Sequence, residues 1–177
     1  MKKRTLIASL CMIFAFLLSN PIHAQKFSGL DKSPMDAASY PSDYKISDKL
    51  VKIIYSRPQL NERPLEKLAP SGKVWRTGAN EAAEITFYKD VTFGDKKVKA
   101  GTYTFFAIPG EKEWIIILSK DINVWGAYSY NESNNVIKVS APVSAGESLE
   151  AFSIAFADDG TMHLGWGTTR VAVLFSK

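Results

Sequence analysis

The spacing of its turn chemistry constrains this chain more than any other feature. From residue 42 onward, short apolar or alternating runs are interrupted about every 8–12 residues by Gly, Pro, Asn, Asp or Ser. Residues 84–88 set Ile85 and Phe87 against Glu84, Thr86 and Tyr88, and residues 149–156 set Phe152, Ile154 and Phe156 against Ala151, Ser153 and Ala155. A period of two is that of a strand with one buried face. Further strands are expected at 44–46, 50–56, 91–93, 97–99, 102–108, 114–119, 125–130, 136–140, 161–166 and 170–175, with Asp158-Asp159-Gly160 as a hairpin turn. The longest stretch of helical period, 64–68, allows one or two turns at most. These signals predict an all-β, single-domain antiparallel β-sandwich, jelly-roll-like or barrel-like, of about ten short strands over 42–177. An irregular lead-in at 25–41, broken at Ser33-Pro34 and Tyr40-Pro41, is expected before it.

The first 24 residues carry a different signal. Lys2, Lys3 and Arg4 form a basic start, residues 6–18 are almost wholly apolar, and Ile22-His23-Ala24 ends in small-residue cleavage chemistry. This is the pattern of a signal peptide cleaved after Ala24, and its apolar run is short of the roughly 20 residues a membrane span needs. Cys11 lies inside that run, where lipidation chemistry is not expected. The expected location is periplasmic or secreted, with no membrane span after cleavage.

Removing the first 24 of 177 residues leaves 153, enough for one proper core. Three of the 22 basic residues go with them and none of the 18 acidic ones, so 19 cations face 18 anions, a net +1. That balance argues against nucleic acid as a partner, which needs a clustered basic footprint. The only cysteine also leaves, so no disulfide, thiolate nucleophile or Cys-ligated metal is expected. One histidine remains, His163, whose neighbours Met162, Leu164 and Trp166 alternate with it and place it outward on a strand. Neither a His-based triad nor catalytic zinc fits such a composition, and no phosphate-binding or dinucleotide glycine motif is present. No cofactor and no metal are expected, and no residue stands out as catalytic.

What remains is a polar knot between residues 56 and 88. Arg57, Arg63, Arg76, Asn80, Glu81 and Glu84 fall there among strand-like runs, with Trp75 beside Arg76. Buried charges must be paired, so the knot is either a structural network or a site. As a network, Glu81 shares the inward parity of Ile85 and Phe87 and pairs with Arg76, Gly78 supplies the fold-back between them, and Asn80 caps the turn. As a site, Arg76 holds an anionic or hydroxylated ligand, Asn80 orients it and Trp75 stacks on it. Glu81 and Glu84 admit a glycosidase reading, although three residues apart on a strand they face opposite sides. The run Trp125-Gly126-Ala127-Tyr128-Ser129-Tyr130 carries aromatics of both parities, so some are expected at the surface, where they suit sugar or peptide stacking.

Tyr55-Ser56-Arg57-Pro58, Gly72-Lys73-Val74-Trp75-Arg76-Thr77-Gly78-Ala79-Asn80-Glu81, Ala100-Gly101-Thr102-Tyr103, Ile108-Pro109-Gly110, Trp114 and the 125–130 run resemble the DUF2911 family. The resemblance runs from about residue 33 to the C-terminus. It implies an exported bacterial protein of unknown function, typical of Bacteroidetes, and brings no reaction, cofactor or catalytic residue. The chain departs from the family pattern between 59 and 71. A Gly-Arg pair, Ile-Phe-Gly and Pro-Tyr-Gly are expected there, and Glu62-Arg63-Pro64-Leu65-Glu66-Lys67 and Pro70-Ser71-Gly72 stand instead.

The reading that follows is a binding module at the cell envelope, using Arg57, Arg63, Trp75, Arg76, Asn80, Glu81 and Trp125 for a small molecule, glycan or envelope protein. A carboxylate-based glycan hydrolase and a purely structural or assembly module are the alternatives.

Overall fold

The computed structural model describes residues 25–176. The expected leader, its cleavage site and Cys11 lie outside the described residues. Residues 25–30 have no regular structure, and a compact unit begins at Asp31. Its elements are β1 (Met35–Tyr40), β2 (Val51–Ser56), α1 (Leu65–Leu68), β3 (Ala83–Phe87), β4 (Val91–Phe93), β5 (Lys96–Val98), β6 (Gly101–Ile108), β7 (Glu113–Ser119), a 3-10 turn (Glu132–Asn134), β8 (Asn135–Phe156) and β9 (Thr161–Ser176). The nine strands form one antiparallel sheet, ordered β1-β2-β3-β6-β7-β8-β9-β4-β5 and not closed into a barrel. No helix among the described residues is long and apolar enough to cross a membrane.

The sheet folds over on itself, and apolar packing shows where. Phe93 of β4 lies 5.8 Å from Phe87 of β3 and 6.4 Å from Phe105 of β6, strands well removed from it in the sheet order. Tyr40 of β1 likewise meets Phe175 of β9 edge-on at 5.4 Å. Between the facing halves lies the main core, to which β6 contributes Phe105 and Ala107 and β7 contributes Trp114, Ile116 and Leu118. The opposite faces of these two strands are apolar as well. Phe106 and Ile117 join Ala82 in a second cluster, with Val74, Val124, Ala127 and Tyr130 packed against it. Strand β7 is therefore covered on both sides, which is why its sequence runs apolar without alternation. Two loops cover that outer face, one leading into β3 and one joining β7 to β8.

Several sequence expectations change. The lead-in is not irregular throughout: Met35–Tyr40 pairs with β2 in full register, from Met35 opposite Ser56 to Tyr40 opposite Val51. Residues 44–46 form a turn, not a strand. The pieces read at 136–140 and 149–156 belong to one strand, β8. It continues through Pro142, opposite Glu113, and absorbs Gly146 and its neighbours in register shifts between Ala145 and Ser153. Arg170 fills that irregular stretch, donating to the carbonyls of Gly167, Thr169 and Glu147. A Cβ on Gly146 would sit 2.9 Å from its Nε. The hairpin at Asp158-Asp159-Gly160 forms as expected, Gly160 taking φ +87°. His163 is exposed, while Met162, Leu164 and Trp166 are buried.

Tyr55 rivets the two halves. Its hydroxyl, on β2, accepts from the Ile154 N–H of β8 at 2.9 Å inside the core. Burial pushes this hydroxyl up from the usual tyrosine value. The folded state thus holds the proton more tightly than the unfolded chain, so the contribution is complete below about pH 10 and is lost as pH rises further. Tyr55→Phe leaves the Ile154 amide unpaired. It is expected to lower the unfolding free energy by about 1–3 kcal/mol, read as a lower urea midpoint at unchanged slope.

Candidate functional site

Sequence reasoning named seven residues, and the structure separates them. Arg57 engages its whole fork within the fold: Nε donates to the Phe152 carbonyl at 3.1 Å, Nη1 to Asp36 Oδ2 at 3.1 Å, and Nη2 to Ser153 Oγ at 2.8 Å. It ties β1 and the end of β2 to β8. Arg63 closes its own loop, donating to the carbonyls of Leu60 and Gln59 at 2.9 Å each. Trp75 is 5% exposed and does not face solvent. It stacks on Trp166 at 5.6 Å and meets Trp114 and Phe152 edge-on at 5.9 and 5.1 Å. The stacking role expected for Trp75 is thus excluded by burial.

The remaining four, Arg76, Asn80, Glu81 and Trp125, come together around one excursion of the chain. Trp75 continues the sheet beyond β3 through a two-bond bridge with Ala107. After Arg76 the backbone leaves the sheet and returns at Ala83, whose N–H donates to the Arg76 carbonyl at 3.0 Å. The turn is made by left-handed residues, and they are not glycines. Buried Thr77 has φ +52° and Asn80 has φ +60°. A β-branched residue there is strained. Gly78, expected to supply the unusual angles, has no positive φ. It is needed for close approach, since a Cβ would lie 3.1 Å from the Ser56 carbonyl oxygen.

This geometry breaks the predicted Arg76–Glu81 ion pair. Two left-handed residues between them defeat the parity argument, and Glu81 turns outward to bridge the backbone of Trp125. The guanidinium of half-buried Arg76 makes no hydrogen bond, ion pair or cation–π contact among the described residues. Its Nε is sealed from solvent without a partner, a cost of about 1–3 kcal/mol for such a group. The side chains of Asn80, Glu81 and Trp125 likewise have no hydrogen-bonding partner among the described residues. The cap expected from the Asn80 side chain does not form; its carbonyl accepts from Gly126 instead, at 2.9 Å.

Trp125 sits in the 15-residue loop 120–134 between β7 and β8, which was read in part as a strand. The loop is pinned along its length. Asn134 donates its amide to both carboxylate oxygens of Asp121 at 2.8 and 3.0 Å, and the Asp121 carbonyl accepts from buried Thr104 Oγ1. Glu84 Oε1 accepts from the Asn123 N–H at 2.6 Å, Ala82 N–H donates to Val124 at 3.0 Å, and Asn135 Nδ2 donates to the Tyr130 hydroxyl at 2.7 Å. Glu84 is therefore a brace for the loop and does not form a facing carboxylate pair with Glu81. On this rigid support three apolar side chains face solvent: Ile122 at 48% exposure, Trp125 at 60% and Tyr128 at 85%. Gly126, at φ +67°, lets the Tyr128 ring lie against the backbone, where a Cβ would come within 2.7 Å of it. Ile122 escaped the sequence reading, and Tyr128 was read only as one of the aromatics of the 125–130 run. The signal was the loop's length, since connections beyond about 12–15 residues without structure of their own are mostly functional.

The family-divergent stretch builds α1 and lies elsewhere. Leu65, Glu66, Ala69 and Ser71 wall a cavity of about 270 Å³ with Pro109, Gly110 and Trp114, and none of its lining comes from the loop 120–134. No curated protein and no solved structure matches the chain. The model of one family, described as "Protein of unknown function (DUF2911)", matches residues 33–175, and the chain belongs to that family.

Proposed function

We propose that the protein is an exported, non-enzymatic binding module of the cell envelope that holds a glycan on the loop 120–134. One observation carries this reading. Exposed aromatic rings stand on a pinned loop, beside polar side chains that have no partner among the described residues. Of the four tryptophans, Trp75, Trp114 and Trp166 are at most 5% exposed, while Trp125 is 60% exposed. Ordering a large apolar ring at the surface without a folding role is explained when its face meets a ligand, and amphipathic rings suit the apolar faces of sugars. Preorganisation lowers the entropy lost on binding. Glu81 and Asn80, next to Trp125 along two backbone contacts, offer acceptors and donors to sugar hydroxyls. Export is supported by the basic start, the apolar run and the Ala24 cleavage chemistry of the sequence.

The test is titration of the purified protein with a panel of neutral and acidic oligosaccharides, followed by Trp fluorescence and calorimetry. Binding that disappears in Trp125→Ala and Tyr128→Ala, at unchanged thermal midpoints, supports the proposal. Binding that survives both substitutions, or no binding anywhere in the panel, overturns it.

A further inference from the structure

We infer that Arg76 is a receptor for a carboxylate, so that the glycan held by the loop is an acidic one bearing uronic acid groups. The inference rests on the binding reading above and adds the ligand's charge to it. It stands on the state of the guanidinium. The Arg76 guanidinium has no hydrogen bond, ion pair or ring contact among the described residues, although Glu81 and Glu84 are close in sequence. Glu84 is taken by the Asn123 amide, and Glu81 is turned to solvent beside Trp125. The strained Thr77 and the left-handed Asn80 hold the chain in the shape that keeps Arg76 and Glu81 apart. The fold thus withholds the two local anions from this half-buried cation.

The parts of the guanidinium differ. Nε is sealed, whereas the terminal nitrogens, equally without partners, are not sealed from solvent. A fork with a fixed stem and a reachable end is the geometry that takes a planar carboxylate in two parallel hydrogen bonds. Arg76 is joined to the aromatic loop through two backbone hydrogen bonds, Ala83 to Arg76 and Ala82 to Val124. Val74, two residues before Arg76, packs with Val124 of that loop on the side away from core Trp75, and the proposed sugar chain runs from Trp125 toward Arg76 along that side.

The experiment compares oligosaccharides bearing uronic acids with the same oligosaccharides after reduction of their carboxyl groups. Titrations use wild type, Arg76→Gln, Arg76→Lys and Trp125→Ala. The expected result is that wild type prefers the acidic form by about tenfold or more. Arg76→Gln is expected to abolish that preference while still binding the reduced form, and Arg76→Lys to retain only part of it. Equal affinity of wild type for both forms, or undiminished preference in Arg76→Gln, overturns the inference while leaving the aromatic platform standing. Binding of both forms that is untouched by Trp125→Ala overturns the platform instead. Should Arg76→Gln fail to fold, the comparison of wild type with Arg76→Lys decides, since lysine keeps the charge and loses the fork.

Discussion

Trp75→Ala is expected to destabilise the protein by about 3–5 kcal/mol, the range for truncating a buried tryptophan. For a chain of this size each kcal/mol moves the thermal midpoint by about 2–4 °C, so a fall on the order of 10 °C follows. The reason is position. Trp75 bridges Ala107 and so extends the sheet, and its ring is enclosed by Trp114, Trp166 and Phe152 with centroids at 5.9, 5.6 and 5.1 Å. Removing it opens a cavity among buried side chains of β7, β8 and β9, beside its bridge to β6. The change also frees the segment that leads into the Thr77–Asn80 excursion, so any binding is expected to fall together with stability. A thermal melt followed by circular dichroism reads the first effect. A midpoint within a degree of wild type would contradict the packing described above.

Trp125→Ala has the opposite profile. Its ring is mostly in water, and the backbone bridge to Glu81 survives truncation of the side chain. Stability is expected to change by no more than about 0.5 kcal/mol, as for surface positions generally. Binding of the glycan is expected to weaken by about 2 kcal/mol or more, roughly thirtyfold, the loss typical of an aromatic anchor at the centre of a contact. The two tryptophans thus separate folding from binding within one small protein. Coupled losses in Trp125→Ala would place that residue in the scaffold.

Much of the architecture was legible because the main core is built from alternation. β2 and β3 show it in Val51, Ile53 and Tyr55 and in Ala83, Ile85 and Phe87, every one of them buried. What was not legible has physical causes. β8 was divided between 140 and 149, a stretch that carries Pro142 and Gly146; Pro142 keeps its register opposite Glu113, and Gly146 falls in the irregular stretch between Ala145 and Leu149. Residues 125–130 read as a strand on the strength of their aromatics. Gly126 at φ +67° and the turn closed by the Tyr130 N–H donating to the Ala127 carbonyl make them a loop instead.

The site was legible in part. Arg57 and Trp75 were named for residue type alone, and only the tertiary fold shows that one is a clamp and the other core. The Arg76–Glu81 pair failed because parity along a strand presumes extended backbone. Thr77 and Asn80, neither a glycine, leave that region of conformational space. That failure is itself informative, since a local rule broken without an evident gain in stability marks a place where function is expected.

The decisive measurement is an indole ¹H–¹⁵N spectrum of the protein titrated with the acidic oligosaccharide mixture. The four indole signals are assigned by single Trp→Phe substitutions. Trp166 donates its indole N–H to the Glu150 carbonyl at 3.1 Å inside the fold, and the rings of Trp75 and Trp114 are buried, so these three signals are expected to stay in place. The Trp125 signal is expected to move in proportion to saturation. A Trp125 signal that holds still while ligand binds would contradict the placement of the site on this loop.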